Sequence, residues 1–326
     1  MNRLRLAVLV VLTLLLAAPA CYADYLFVSN ERSNTVTVLD PGTFKIVKTI
    51  PTDGRPRGMV ASPDGKVVFV CAGNSAKIDV INVDQLKVTR TLPSGPDPEL
   101  LDISPDGKRL YIANENNAEV TVMAPATGKV LAQIPVGVEP EGMAVKADNS
   151  ITVATSEGTS MAHFINNKTL KLEANVLVGT RPRYAVYVNH GTQVWVSSEV
   201  AGTVSVIDIK THQVTHTIHF NIRGVRQEFI RPVGMAVSKN GQDVFVTLGS
   251  ANRVAVVDTR NYKVKKYILV GQRPWHAAVD PHAPRLYVVN GLTNDMTIIN
   301  TKNLEAIKSV PVGRLPWGVI YVKHGQ

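Results

Sequence analysis

A recurring proline has charged or aromatic residues on both sides, and these side chains could bind a ligand. The prolines are Pro56, Pro98, Pro140, Pro182, Pro232, Pro274 and Pro316. The residues before them are Arg55, Asp97, Glu139, Arg181, Arg231, Arg273 and Leu315, and those after them are Arg57, Glu99, Glu141, Arg183, Val233, Trp275 and Trp317. Guanidinium groups suit carboxylate ligands, and exposed indole rings suit a binding surface. We call the surface formed by these flanking residues the mouth. Their order along the chain predicts that it has an acidic arc, basic flanks and an aromatic arc.

The spacing of the prolines predicts how these residues are positioned. Successive prolines are 42, 42, 42, 50, 42 and 42 residues apart, and such near-equal periods indicate a repeat architecture. The first complete period contains four β-branched runs, Met59–Ser62, Val67–Cys71, Ile78–Val83 and Val88–Leu92. Four short antiparallel strands per period predict an all-β fold, a seven-bladed β-propeller.

The two ends of the repeat predict how the ring closes. Tyr25–Ser29, Thr35–Leu39 and Lys45–Ile50 read as second, third and fourth strands, whereas Pro316–Val322 reads as a first strand without companions. The last blade is therefore expected to combine strands from both termini, which removes an open sheet edge. We call the face that carries the prolines the upper face. The lower face carries turns such as Ser62-Pro63-Asp64-Gly65, which is replaced by Lys146–Asn149 and Val188–Gly191 in two other blades.

Residues 1–23 read as a secretory signal peptide with cleavage after Ala23, because two arginines precede an apolar run and small residues. Residues 24–326 are then a single periplasmic or secreted domain without a transmembrane segment. Lipoprotein anchoring at Cys21 is disfavoured by a poor lipobox.

Cleavage leaves Cys71 as the sole cysteine, so an intramolecular disulfide is excluded. Cleavage also lowers the net charge from +9 to +7. This modest basic balance favours acidic partners or anionic membrane surfaces without defining a site.

A second upper-face series offers carboxylates as weak metal candidates. Glu31, Glu115, Glu157 and Glu199 occupy equivalent positions, with Gly73, Gly249 and Gly291 in the other blades. Converging carboxylates could hold calcium, but no loop has the dense Asp and Asn spacing of a dedicated site. No cofactor is therefore predicted. The glutamates could equally pair with the arginines, which leaves ligand binding and mutual pairing as alternatives.

The one interval of 50 residues, from Pro182 to Pro232, adds a loop, Phe220–Arg231. This loop could fold over the mouth as a lid or docking arm. Its cations Arg223, Arg226 and Arg231 join the candidate site, as do Tyr184 and His276, which follow the proline phrase. A tolerated surface insertion is the alternative.

The sequence lacks a His-Glu-x-x-His zinc motif, paired-cysteine motifs, a Gly-x-Ser-x-Gly elbow and a phosphate-binding loop. No catalytic residue is predicted.

The repeats, for example Leu110–Asn114 followed by Glu119–Val122, resemble the YVTN family of bacterial β-propeller proteins. Gly95–Leu100, Val138–Gly142, Met161–Ile165 and Ile218–Phe220 resemble a narrower subgroup, the secreted propellers associated with PQQ-dependent alcohol catabolism. The resemblance implies a seven-bladed periplasmic propeller encoded in the setting of PQQ-dependent dehydrogenases and a transporter, without a defined catalytic mechanism. The adjacent cysteine pair of many such dehydrogenases is absent, so the chain is not read as the quinoprotein.

These observations favour a non-enzymatic binding or scaffold protein that holds a small anionic ligand or a periplasmic partner protein at its upper face. One alternative is a metal-dependent, lactonase-like hydrolase that uses upper-face carboxylates. Another is single-stranded nucleic-acid binding through arginine and tryptophan. Secretion disfavours the nucleic-acid role.

Overall fold

The structure, a computed structural model, describes residues 24–323. The predicted signal peptide, its cleavage point and Cys21 lie outside these residues. The strands in chain order are β1 (Tyr25–Asn30), β2 (Thr35–Leu39), β3 (Ile46–Pro51), β4 (Pro56–Ala61), β5 (Val67–Ala72), β6 (Lys77–Asn82), β7 (Lys87–Pro93), β8 (Pro98–Ile103), β9 (Leu110–Asn114), β10 (Glu119–Ala124), β11 (Lys129–Pro135), β12 (Pro140–Val145), β13 (Ile151–Ser156), β14 (Met161–Asn166), β15 (Lys171–Leu177), β16 (Pro182–Val188), β17 (Gln193–Ser198), β18 (Thr203–Asp208), β19 (Gln213–His219), β20 (Met235–Val237), β21 (Asp243–Thr247), β22 (Arg253–Asp258), β23 (Val264–Leu269), β24 (Pro274–Val279), β25 (Arg285–Asn290), β26 (Asp295–Asn300), β27 (Glu305–Pro311) and β28 (Pro316–Val322).

The strands form seven four-stranded antiparallel sheets, which confirms the seven-bladed propeller. Blade 1 has the order β28-β1-β2-β3, so the predicted closure by strands from both ends is also confirmed. In that blade Tyr25 pairs with Val322 and Leu26 with Tyr321. Blades 2 to 7 each use four consecutive strands, from β4–β7 to β24–β27.

Burial falls from the axis of the ring to its rim. All five residues of β9 are buried, because neighbouring blades cover both faces of the inner strands. The fourth strands are exposed, as in β19, where Ile218 is the one buried residue. Blades meet through apolar clusters such as Phe69 and Ile78 of blade 2 with Ile112 of blade 3. Packing between blades therefore supplies the core.

Short 3-10 helices occupy several connections: Gly73–Ser75, Glu115–Asn117, Asn189–Gly191, Gln227–Phe229 and Gly249–Ala251. Within residues 24–323, no helix has the length and apolar character needed to cross a membrane.

The long loop between β19 and β20 packs between blades 5 and 6. Phe220, Ile222 and Ile230 are buried in one cluster with Met235, whereas Phe229 is 44% exposed. The backbone N–H of Asn221 also donates to the Tyr267 hydroxyl at 3.0 Å. The loop is thus anchored by its apolar residues.

Candidate functional site

Backbone hydrogen bonds join the proline phrase to the loop between the second and third strands of the same blade. In six blades the loop residue donates its N–H to the carbonyl of the residue before the proline. The pairs are Glu31 to Leu315 (3.0 Å), Gly73 to Arg55 (3.1 Å), Glu115 to Asp97 (3.0 Å), Glu157 to Glu139 (2.8 Å), Glu199 to Arg181 (2.8 Å) and Gly291 to Arg273 (2.9 Å). The two series of charged residues are therefore neighbours at the upper face.

The residue before the proline has a left-handed backbone in six blades, with φ between 52° and 61°. For a residue with a side chain this conformation costs about 1 kcal/mol. An asparagine of the preceding blade stabilises it in part: Asn34 Oδ1 accepts from the Arg55 N–H at 3.0 Å, and Asn252 Oδ1 accepts from the Arg273 N–H at 2.9 Å. Blade-to-blade contacts thus fix where these side chains lie.

One half of the mouth, which we call the acidic sector, contains Arg55 and Arg57 among several carboxylates. Glu99 is fully buried and lies between the two guanidiniums, 2.8 Å from Arg55 Nη2 and 3.0 Å from Arg57 Nη1. Arg57 Nε also lies 3.3 Å from Glu31, and Arg55 contacts Asp97 directly. The further carboxylates of this sector are Glu115, Glu139 and Glu141.

Burial and the nearby Glu141 carboxylate raise the pKa of Glu99 well above its ordinary value, although Arg57 and Arg55 oppose this shift. Burial lowers the pKa of Arg57, but the surrounding carboxylates, Glu99 first, outweigh it and raise the pKa overall. A charged Arg57 is thus favoured in this sector.

The other half, the basic sector, contains four arginines around two buried glutamates. Glu199 lies 2.7 Å from Arg273 Nη2, 3.4 Å from Arg183 Nε and 3.5 Å from Arg181 Nε. Arg231 lies 3.8 Å from the same carboxylate. Glu157 contacts Arg183 and lies 2.7 Å from Arg181 Nε. Positive charge is therefore in excess here.

Burial opposes ionisation of Glu199, but Arg183, Arg273 and Arg181 together outweigh it and lower the pKa. The side chains of Arg181 and Arg231 remain 49% and 42% exposed. These two guanidiniums can receive an additional ligand from solvent.

The aromatic residues of the phrase lie deeper than the sequence predicted. Trp317 was expected to be exposed, but it is completely buried and packs with Leu100 and Met143 from the far side of the ring. Its ring lies 4.1 Å from that of His276, which lies 5.3 Å from the ring of Tyr184. These side chains come from different blades and fill the centre of the propeller.

Cation-π contacts connect this aromatic centre to the charged mouth. The Arg57 guanidinium lies 4.9 Å from the Trp317 ring, and that of Arg273 lies 4.2 Å from the Trp275 ring. Burial lowers the pKa of His276 to about 3, so this histidine is neutral at physiological pH. Its Nδ1 lies 2.9 Å from the Trp317 carbonyl oxygen, to which it donates.

The structure does not bring every predicted residue into the mouth. Arg223 and Arg226 are exposed on the long loop, where Arg226 pairs with Glu228 and lies over the Phe229 ring. Arg231 alone joins the basic sector from that loop. Glu139 is exposed at the edge of the acidic sector.

Three carboxylates could hold a metal ion. Ligand atoms of Asp97, Glu99 and Glu115 lie within 4.8 Å of one another. Oxygen ligands suit calcium, yet two of these carboxylates already contact Arg55. Of the four metal candidates from the sequence, Glu115 is in this group, whereas Glu31, Glu157 and Glu199 lie against arginines.

Solved structures with this fold span several activities. A hydrazine synthase structure from Kuenenia stuttgartiensis is 20% identical (TM-score 0.76), with 85% of this chain and 92% of that chain covered. A protein proposed to be a 6-phosphogluconolactonase from Bacteroides fragilis is 18% identical (TM-score 0.79; 94% and 99% covered). A protein of unknown function from Desulfotomaculum acetoxidans is 14% identical (TM-score 0.78; 93% and 100% covered). At these identities the likeness concerns the fold.

Family models give a more specific relation. No curated protein sequence matches the chain. Residues 22–92 match the lactonase family of seven-bladed β-propellers. Residues 116–285, just over half of the chain, match the choice-of-anchor I domain. The chain belongs to the choice-of-anchor I domain family.

Proposed function

We propose that the protein is a periplasmic binding or scaffold propeller that uses its basic sector to hold an acidic partner in PQQ-dependent alcohol oxidation. The observation that carries this proposal is the pair of half-exposed guanidiniums, Arg181 and Arg231, beside Glu199. Arginine presents several N–H donors in a planar fork and can bind a second carboxylate while retaining its first.

The local charge count supports an acidic partner. The basic sector contains Arg181, Arg183, Arg231 and Arg273 against two buried carboxylates, Glu157 and Glu199. The acidic sector beside it repels a ligand of the same sign, so a bound acidic group is directed towards blades 5 to 7.

The segments that resemble the PQQ-associated propellers support the proposed setting. Gly95–Leu100 and Val138–Gly142 lead into β8 and β12 at the upper face, and they carry acidic-sector residues. In Met161–Ile165, His163 Nε2 accepts from the Gly137 N–H at 3.0 Å, so it holds one of these phrases in place. Two of the four resembling segments thus lie at the upper face, beside the proposed binding sector.

The test compares Arg181→Ala/Arg231→Ala with the exposed loop variant Arg223→Ala as control. Each tagged protein is incubated with periplasmic extract from cells grown on ethanol, and capture of a PQQ-dependent dehydrogenase is measured. Affinity for the purified dehydrogenase is then determined by calorimetry. We expect at least tenfold weaker binding for the double variant, since charge-assisted hydrogen bonds are lost. Equal affinity of the double variant, or no binding by the unchanged protein, would refute the proposal.

A second candidate is a metal-dependent hydrolase, favoured by the convergence of Asp97, Glu99 and Glu115. The lactonase match at residues 22–92 does not include these three positions. Metal analysis of the purified protein and of Glu115→Gln tests this candidate. If the protein is such a hydrolase, it contains about one bound ion per chain. The Glu115→Gln variant then loses both the ion and the lactone hydrolysis. A metal-free protein that is insensitive to EDTA would exclude it.

A further inference from the structure

The lower-face turns between first and second strands differ between the two halves of the ring. Blades 2 and 3 have Ser62–Gly65 and Ser104–Gly107, both with the sequence Ser-Pro-Asp-Gly. Blade 6 has Ser-Lys-Asn-Gly at 238–241, and blade 7 has Asp-Pro-His-Ala at 280–283. Turns that depart from the repeat sequence line the two cavities described below.

One cavity of about 630 Å³ lies between the lower-face turns of blades 6 and 7. A second, of about 590 Å³, lies on the other side of the blade 6 turn, against the divergent turns of blades 4 and 5. Both volumes are in the range of small-molecule sites. The first cavity has the clearer chemistry.

An apolar wall lines the first cavity. Phe245, Val279, Ala283 and Pro284 contribute to it. Ala283-Pro284 takes the place of Gly65-Lys66 in blade 2 and of the equivalent Gly-Lys pair in blade 3. Pro284 therefore lies where those blades have an exposed lysine. Because this proline replaces a charged side chain, the wall is apolar.

Two lysines lie at the rim of this cavity. Lys239 takes the place of the turn proline of blades 2 and 3, and Lys302 lies in the turn before β27. Both residues are exposed, and across residues 24–323 neither ammonium has a carboxylate within 4.0 Å. Their charges are available to a ligand.

The carboxylates in the lining are already occupied. Asp243 lies 2.5 Å from the Lys265 ammonium. Asp280 accepts hydrogen bonds from the N–H groups of His282 and Ala283, both at 2.8 Å, and from the Tyr287 hydroxyl at 2.6 Å. Neither acid needs the two rim lysines as a partner, so the cavity retains an anion-binding rim above an apolar wall.

We propose that the cavity between blades 6 and 7 binds an amphipathic organic anion, with its apolar body on Phe245, Val279 and Pro284 and its acidic head on Lys239 and Lys302. Medium-chain carboxylates have this chemistry. The site is on the face opposite to the basic sector and does not depend on the function proposed there.

Calorimetric titration at low ionic strength with octanoate, octan-1-ol and octylammonium tests this site. Octanoate should bind at least tenfold more tightly than octylammonium, since the rim is cationic. Lys239→Ala/Lys302→Ala should weaken octanoate binding about tenfold. The matched control is Lys66→Ala/Lys108→Ala, which removes exposed lysines from the equivalent turns of blades 2 and 3 and should leave binding unchanged.

A third variant separates this site from the upper face. Arg181→Ala/Arg231→Ala should bind octanoate as the unchanged protein does, whatever its affinity for the dehydrogenase. The proposal is overturned if octanoate gives no binding heat at millimolar concentration, if octylammonium binds equally well, or if the lower-face double variant is unaffected.

Discussion

Either glycine or glutamate occupies one position of the upper-face loops, and at two of the glycines a Cβ would meet a side chain of the mouth. A Cβ on Gly73 would lie 2.7 Å from Arg55 Nη1, and one on Gly291 would lie 2.6 Å from Trp275 Nε1. Both distances are shorter than real Cβ contacts. The glycines therefore create the space in which the arginine and tryptophan of the mouth are packed.

Asp102 connects two inner strands at a partly buried position. Its carboxylate accepts from its neighbour, the Ile103 N–H, at 2.8 Å and from the Val145 N–H of blade 4 at 2.7 Å. Burial raises the pKa of Asp102 to about 6. The Asp102 carboxylate also contributes to the raised pKa values of Tyr184 and Tyr187, which rise mainly through their own burial.

This raised pKa predicts that Asp102 makes stability depend on pH. The folded state retains the proton that the unfolded state loses near pH 4, so the free energy of unfolding should fall as pH rises from about 4 to 6. Relative to Asp102→Asn, which cannot titrate, the loss should be about 3 kcal/mol. Urea unfolding of both proteins between pH 4 and pH 8 measures it. Parallel pH profiles would contradict the assignment.

At the scale of elements, the long loop behaves as an extension of the core between blades 5 and 6. β20 begins at Met235, three residues after Pro232, whereas the other inner strands begin at their proline. The buried Phe220, Ile222 and Ile230 replace the packing that a longer strand would provide. The sequence left a lid, a docking arm and a tolerated surface insertion as alternatives for this loop, and Arg231 alone of its cations joins the basic sector.

Two substitutions in this loop distinguish anchoring from surface residues. Ile230 is 1% exposed, so Ile230→Ala should lower the free energy of unfolding by about 3 kcal/mol through lost burial and cavity formation. Phe229 is 44% exposed, and Phe229→Ala should change stability by less than about 0.5 kcal/mol. Denaturant unfolding of both variants checks the difference. Similar losses would show that the loop is not anchored as described.

For the molecule as a whole, periodicity made the architecture predictable. The proline spacing and the incomplete blades at the two ends predict the ring and its closure, because each repeat must bury its faces against neighbours. The sequence offered pairing between glutamates and arginines as one alternative, but it did not predict which side chains pair, since that depends on side-chain reach between blades. The burial of Trp317 was missed because its contacts with Leu100 and Met143 cross the ring and leave no local pattern. Lys239 and Ala283-Pro284 were visible as departures from the repeat, but the cavity that they share was not.

Closure by β28 predicts a strong effect of truncation. A chain that ends at Gly313 lacks the inner strand of blade 1 and exposes the edge of β1, which normally pairs with it. We expect this variant to aggregate and to lose cooperative unfolding. A chain that ends at Lys323 retains β28 and serves as the control. Light scattering and thermal unfolding compare the two, and a monomeric, cooperatively unfolding Gly313 variant would contradict the role of β28.

The pairing of Tyr25 with Val322 also determines where attachments to the protein emerge. β28 runs from the upper to the lower face and β1 begins beside its end, so both ends of the described chain leave the ring together at the lower face. A fused domain or surface tether at either end would lie close to the lower-face cavities and leave the charged mouth unobstructed. The same proximity makes the ring suitable for circular permutation, with a short linker between residues 323 and 24 and new ends in an exposed turn such as Asp84-Gln85.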